Sequence, residues 1–123
     1  MPNYFLITVW IAQIIIALIL LQTLYFKFTG AEESKFIFSK IGVEPWGRYF
    51  IATAELTIAV LLLIPTTSKY ASIGAMAIIL PAIFFHLTIL GIEVMNDKGL
   101  LFGLAILIFV LSAFVTWARF AKL

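Results

Sequence analysis

Four long apolar runs dominate this 123-residue chain and restrict what it can fold into. They cover about residues 4–26, 45–65, 70–90 and 99–117. Each is close to the roughly 20 helical residues that cross a bilayer core of about 30 Å. The runs lack the period-two alternation of a membrane β-barrel, and a backbone within lipid must satisfy its own hydrogen bonds, which favours helices. We therefore predict an all-α, integral membrane, antiparallel four-helix bundle that forms a single transmembrane domain.

Composition agrees with this expectation and excludes other classes of protein. Apolar residues make up 64% of the chain and charged residues 11%, far from the usual range of soluble domains. The lipid bilayer is thus the first partner we expect. A net charge of +2 is too small and too dispersed to indicate nucleic acid as a partner. The chain has no cysteine, so any redox role would need a bound cofactor or a partner.

The charged residues concentrate between the first two runs, since eight of the fourteen lie within residues 27–55. Part of this segment, about residues 30–41, predicts a short helix with a capping box from Thr29 to Glu32 and a stop at Gly42. We expect this helix to lie at the membrane interface, because one face is apolar and the other is charged. The apolar face would consist of Ile37, Phe38 and Ile41. A solvated loop remains the alternative, since so short a pattern is a weak signal.

The parity of four spans places the first and third loops on one side of the membrane. All six acids fall on or near that side: Glu32, Glu33, Glu44, Glu55, Glu93 and Asp97. The same side carries five of the eight Lys and Arg residues. The side with more Lys and Arg residues is also the side with all the acids, and acids count little in the positive-inside rule. The orientation of the chain in the membrane therefore stays open.

Ionisable and polar side chains within the spans are few, and each ionisable one costs on the order of 3 kcal/mol at mid-bilayer. Glu55 lies on a stripe of alanines that should face neighbouring helices, with Arg48 two turns nearer the surface. His86 lies on a similar stripe of the third run. Lys27 ends the first run on the same side, and Gln22 lies about a turn and a half deeper. These five residues are our candidates for a ligand pocket or a proton relay.

Each candidate also has a purely structural interpretation. Glu55 could be a tie to Lys27 or Arg48, and His86 could be a packing residue rather than a proton carrier. Lys27 and Arg48 could extend to the membrane surface as long cationic side chains near helix ends do. One histidine with scattered carboxylates is a poor transition-metal site, so we predict no metal and assign no catalytic residue. Pro81 should kink the third run below His86.

Three stretches also carry a family resemblance: "YFKFTG", "FSKIGVEPWGRYFIATAELTIAVLLLIP" and "AIFFHLTILG". In order and spacing they resemble the DoxX-like family of small four-helix membrane proteins across nearly the whole chain. The shared positions are Lys27, Gly30, Gly42, Pro45, Glu55, Pro65 and His86. Thr23 and Leu24 depart from the small residue and glycine often found ahead of the lysine, which could narrow the pocket.

The resemblance implies a multi-pass membrane protein, here of a bacterial cytoplasmic membrane, and says less about activity. Members of the family include a subunit of a thiosulfate:quinone oxidoreductase and subunits of membrane redox complexes. More distant relatives include eukaryotic cargo receptors and receptor-assembly chaperones. The resemblance therefore leaves a redox function and a non-catalytic function both open.

Three functional classes compete. The first, which we favour, is a quinone- or lipid-binding subunit that works with a membrane redox partner. The second is a non-catalytic assembly or chaperone subunit that docks a partner protein. The third is a small proton-coupled transporter with Glu55 as carrier, which is the weakest because such exporters typically place their carboxylate in the first helix. The sequence has no nucleotide, flavin or haem motif, so no covalent cofactor is expected. Whether the chain is an enzyme, and whether it forms homo-oligomers, stays open.

Overall fold

The computed structural model describes residues 3–92 and 98–122. Within these residues the regular structure is entirely helical. The helices are α1 (Asn3–Thr29), α2 (Glu32–Ile41), α3 (Trp46–Leu62), α4 (Ser68–Phe85) and α5 (Leu100–Trp117). α4 and α5 continue into wider π-helical turns, His86–Leu90 and Ala118–Lys122 respectively. The predicted all-α class is therefore confirmed for the described part of the chain.

Within residues 3–92 and 98–122, three segments are long and apolar enough to cross a membrane: Tyr4–Thr29, Ser68–Leu90 and Leu100–Ala121. α3 is shorter, with 17 residues, or about 25 Å of helix. It ends at Leu62 rather than near residue 65, because the Leu63 amide donates to the Val60 carbonyl and begins a tight turn before Pro65. These lengths are compatible with a membrane protein.

The four long helices pack around a core of small and branched side chains. α1 contacts α3 and α5, and α4 contacts the same two helices. Alanines supply many of the closest approaches, among them Ala17, Ala59, Ala71, Ala75 and Ala105. Large apolar side chains such as Trp46 and Phe50, each 66% exposed, point away from the core. Small residues inside and large apolar residues outside are the distribution expected of helices that face lipid.

α2 lies against α1, α3 and the π-helical turn after α4. The predicted capping box at its start is wrong: α1 continues through Thr29, whose hydroxyl donates to the Tyr25 carbonyl at 2.8 Å. Ala31 is the residue before α2, and no side chain caps the helix. The predicted stop is present, since Gly42 has a φ of 94° and its amide donates to the Phe38 carbonyl at 3.0 Å.

Candidate functional site

A cavity of about 420 Å³ lies between α2 and one end of the four long helices. We call it the apolar cavity, because aliphatic and aromatic side chains form most of its wall. Residues from all five helices line it, including Ile37 and Phe38 from α2. The polar side chains that reach it are Thr23, Lys27, Glu55 and His86. An apolar cleft with a few convergent polar groups is the usual form of a small-molecule site.

The carboxylate of Glu55 is held between two side chains of α1. Its Oε1 lies 3.0 Å from Nζ of Lys27, and its Oε2 accepts a hydrogen bond of 2.8 Å from Oγ1 of Thr23. Glu55 is only 4% exposed, and within the described residues Oε1 has no hydrogen bond beyond this ion contact. A buried charge is costly unless it is paired, so Lys27 is what makes a carboxylate tolerable at this depth.

Helical geometry explains why these three side chains meet. Thr23 and Lys27 are four residues apart on α1, so they share one face of the helix. Ala52 and Ala59 lie about one turn on either side of Glu55 and are both buried. Their small side chains let α3 approach its neighbours closely at this level. Thr23 thus supplies a hydrogen bond to the carboxylate.

His86 is buried at the first position of the π-helical turn, and its ring contacts the edge of Phe102, with 5.7 Å between ring centroids. Its Nδ1 lies 2.9 Å from the Gly91 carbonyl oxygen. Because a carbonyl only accepts, Nδ1 carries the hydrogen, and Nε2 is the acceptor when the ring is neutral. His86 and Glu55 line the same cavity, although no hydrogen bond joins them directly in the described residues.

Pro81 lies inside α4 and also lines the apolar cavity. Proline has no amide hydrogen, so the helix loses one backbone hydrogen bond there. α4 nevertheless continues to Phe85 before it widens into the π-helical turn at His86. π-Helical turns are rare in proteins, and many of those that occur lie at functional sites. The turn at His86 therefore agrees with a special role for this end of α4.

Arg48 does not line the apolar cavity. Its Nε donates to both carboxylate oxygens of Glu44, at 2.9 and 3.0 Å, and its Nη1 donates to the backbone carbonyl of Lys27. Arg48 is only 3% exposed, so its head group does not extend to the surface. It gives a second donor to a carbonyl near the end of α1 that also accepts from the Gly30 amide at 3.3 Å. Arg48 therefore supports the backbone of a cavity residue.

Gln22, like Arg48, is a predicted pocket residue that lies outside the apolar cavity. Its side chain is exposed and does not line the apolar cavity. Successive residues of a helix point about 100° apart, so when Thr23 faces Glu55 its neighbour turns away. Gln22 therefore lies on the neighbouring face of α1, and its part in a ligand pocket or a proton relay stays a prediction.

A second depression, which we call the polar groove, holds about 380 Å³ between α1, α2 and the start of α5. Its polar side chains are Gln22, Thr23, Lys27, Glu33 and Ser34. It shares part of its wall with the apolar cavity, so the two spaces meet. The shared residues are Thr23, Lys27, Ile37, Leu101 and Leu104.

A further polar cluster, which the sequence analysis missed, is centred on Gln13 of α1. Gln13 is fully buried, and its Nε2 donates to the Leu62 carbonyl at 2.7 Å, at the end of α3. Its Oε1 accepts from Nε of Arg119 at 2.9 Å, and the guanidinium lies over the Trp10 ring. The signal was available, because Gln13 is an amide near the middle of a long apolar run.

The chain matches no family model, no curated protein and no solved structure. The resemblance to the DoxX-like family thus stays a prediction from short motifs. Across residues 3–92 and 98–122, no three His, Asp or Glu side chains are grouped as a metal site would need. Glu93 and Asp97, which we expected near the start of α5, lie outside the described residues.

Proposed function

We propose that this chain is a DoxX-like integral membrane protein whose apolar cavity binds a quinone, or a lipid with a comparable head group, as a subunit linked to membrane redox chemistry. The observation that carries the proposal is the ion pair of Lys27 and Glu55 at the wall of an otherwise apolar cavity. An intramembrane ion pair is expensive and marks a functional site by default.

Several features support a membrane-embedded, antiparallel four-helix bundle. The cavity is lined by the C-terminal parts of α1 and α4 and by the N-terminal parts of α3 and α5. Neighbouring helices that contribute opposite ends to one cavity must run in opposite directions. α3 is short for a span, and a bilayer can thin locally to match it at modest cost. α2 would then lie at the interface as the roof of the cavity.

The size and chemistry of the cavity favour a ring with hydrogen-bonding oxygens. A volume of about 420 Å³ is at the lower end of the roughly 300–1,000 Å³ of small-molecule pockets, which suits one ring and the first part of a chain. The Lys27 ammonium can donate to a ligand carbonyl. His86 Nε2 can accept from a hydroxyl when neutral or donate when charged. Trp46, Phe50 and Phe85 offer apolar surface for a ring or tail.

The chain itself supplies binding and proton contacts in this proposal, and a partner subunit supplies the electron carrier. A bacterial cytoplasmic membrane is the location we propose, in line with the family resemblance. Assembly or chaperone activity is the alternative, and it would use the exposed outer face of α2, where Glu32, Lys35 and Lys40 lie. A proton-coupled transporter is the third candidate.

The test is binding of a short-chain ubiquinone or menaquinone analogue to purified protein in nanodiscs, followed by native mass spectrometry. Glu55→Gln and His86→Ala should each weaken binding about tenfold or more, because a ligand oxygen left unpaired costs about 1–3 kcal/mol. Glu32→Gln is the matched control, since that carboxylate is exposed on α2 and outside both cavities.

Failure of the wild-type protein to take up either analogue would refute the quinone proposal. Co-purification of a partner that is lost with Lys35→Glu or Lys40→Glu, but kept with Glu55→Gln, would instead favour the assembly function. Proton-driven uptake of a solute by vesicles that contain the protein, abolished by Glu55→Gln, would favour the transporter.

A further inference from the structure

Lys27 stands at the boundary between two spaces of different character. Its side chain lines both the apolar cavity and the polar groove, as does that of Thr23. These two residues are also the ones that hold the Glu55 carboxylate. The ion pair is therefore reached from two directions, and each direction offers a different environment.

The two walls differ in composition. Apart from the residues that meet at the ion pair, His86 is the polar group of the apolar cavity, whose outer parts are aromatic side chains. The wall of the polar groove also contains apolar side chains, but it adds an amide, a carboxylate and a hydroxyl, from Gln22, Glu33 and Ser34. A space with several hydrogen-bonding groups suits water, whereas an apolar space of similar size suits hydrocarbon.

Exposure rises along the groove from the ion pair toward α2. The Glu55 side chain is 6% exposed and the Lys27 side chain 17%, and Glu33, at the α2 end of the groove, is partly exposed. On the other side, the mouth of the apolar cavity is formed by Trp46 and Phe50, which are large, apolar and exposed. The groove thus leads to a polar surface and the cavity to an apolar one.

We infer that the polar groove is a water-filled route through which Lys27 and Glu55 exchange protons with the aqueous phase, while the apolar cavity opens to lipid. When the partner subunit reduces the bound ligand, a proton that Lys27 gives to the reduced oxygen leaves a neutral amine, and a proton from the aqueous phase, relayed by water in the groove, returns to that amine. The use of the route rests on the proposed ligand site, although its test needs no ligand.

Cysteine accessibility tests this route, because the natural chain has no cysteine and single introduced thiols report alone. Ile37→Cys places a thiol where groove and cavity meet, and Ala82→Cys places one in the apolar cavity away from the groove. In nanodiscs, a sulfonate-bearing methanethiosulfonate probes access through water. N-ethylmaleimide probes access of a neutral reagent, and intact mass measures both rates.

The sulfonate reagent should modify the Ile37→Cys protein at least about tenfold faster than the Ala82→Cys protein, while N-ethylmaleimide modifies both. Ser34→Phe, which fills the groove, should slow sulfonate labelling of Ile37→Cys about tenfold. Ser39→Phe is the matched control, since Ser39 is exposed on α2 and lines neither space. With Ser39→Phe, sulfonate labelling of Ile37→Cys should be as fast as it is without a blocking substitution.

Gln22→Trp provides a second block from the α1 side in case Ser34→Phe disturbs α2, with the exposed Leu21→Trp as its control. If neither Ser34→Phe nor Gln22→Trp slows the rate at which the sulfonate reagent labels Ile37→Cys, the inference is overturned. Labelling of Ala82→Cys as fast as Ile37→Cys would also overturn it, since water would then enter through the apolar cavity. Quinone binding is measured separately, so either proposal can fail without the other.

Discussion

Arg48 and Lys27 are joined by a hydrogen bond from the Arg48 guanidinium to the Lys27 backbone carbonyl, and the Lys27 ammonium in turn lies 3.0 Å from the Glu55 carboxylate. These two contacts join α3 to α1 at two points. Arg48 makes one of them from the first turn of α3, and the buried Glu55 makes the other. The geometry of the candidate site therefore depends on a residue outside the cavity.

Removal of Lys27 alone should cost more stability than removal of Glu55 alone or of both residues. Lys27→Leu leaves the Glu55 carboxylate buried without its cation and should destabilise the protein by about 3 kcal/mol. Glu55→Leu should be better tolerated, because Lys27 is partly exposed and can turn toward water. Thermal unfolding in detergent measures both, together with the Lys27→Leu/Glu55→Leu double variant. Equal melting temperatures for the two single variants would argue against coupling.

Arg48→Lys should destabilise the chain although it keeps the charge. Lysine cannot reproduce the paired contacts to Glu44 together with the bond to the α1 backbone, and hydrogen bonds to charged groups contribute about 1.5–3 kcal/mol each. Unfolding by heat in detergent is the measurement. Lys35→Arg, on the exposed face of α2, is the conservative control and should leave stability unchanged.

Gln13→Leu should be strongly destabilising, in contrast to the same substitution nine residues later on the same helix. It removes hydrogen bonds to Leu62 and Arg119. The Leu62 carbonyl is then unpaired in the interior, at about 1–3 kcal/mol, and the partly exposed Arg119 loses its amide acceptor. Gln22→Leu, at an exposed position, should change stability by less than about 0.5 kcal/mol. If Gln13→Leu and Gln22→Leu have the same melting temperature, the Gln13 cluster contributes no stability.

Thr23→Val should weaken ligand binding and stability together, whereas Thr23→Ser should preserve both. Valine has nearly the same shape but cannot donate to Oε2 of Glu55, and a hydrogen bond to a charged acceptor is worth about 1.5–3 kcal/mol. Thr8→Val on the exposed face of α1 is the control for loss of a hydroxyl. Retention of a quinone analogue and the melting temperature are the two readouts.

The sequence by itself determined the all-helical class, because long runs of apolar residues without period-two alternation leave few other ways to satisfy the backbone. It also located Lys27, Glu55 and His86 as polar groups that need a reason to lie within apolar runs, and the structure places all three at one cavity. The sequence also predicted that α2 ends at Gly42, since a glycine after a short amphipathic pattern is the usual helix stop.

Tertiary structure decided which neighbour of each polar position faces inward. Thr23 rather than Gln22 meets Glu55, because one residue turns a helix by about 100° and periodicity with few polar markers does not resolve such a rotation. Gln13 finds its partners 49 and 106 residues away, at the end of α3 and in the π-helical turn after α5. Arg48 pairs with Glu44 and the end of α1 instead of Glu55. Contacts between distant segments depend on how helices rotate and pack against each other, and that is set by the shape of the whole core.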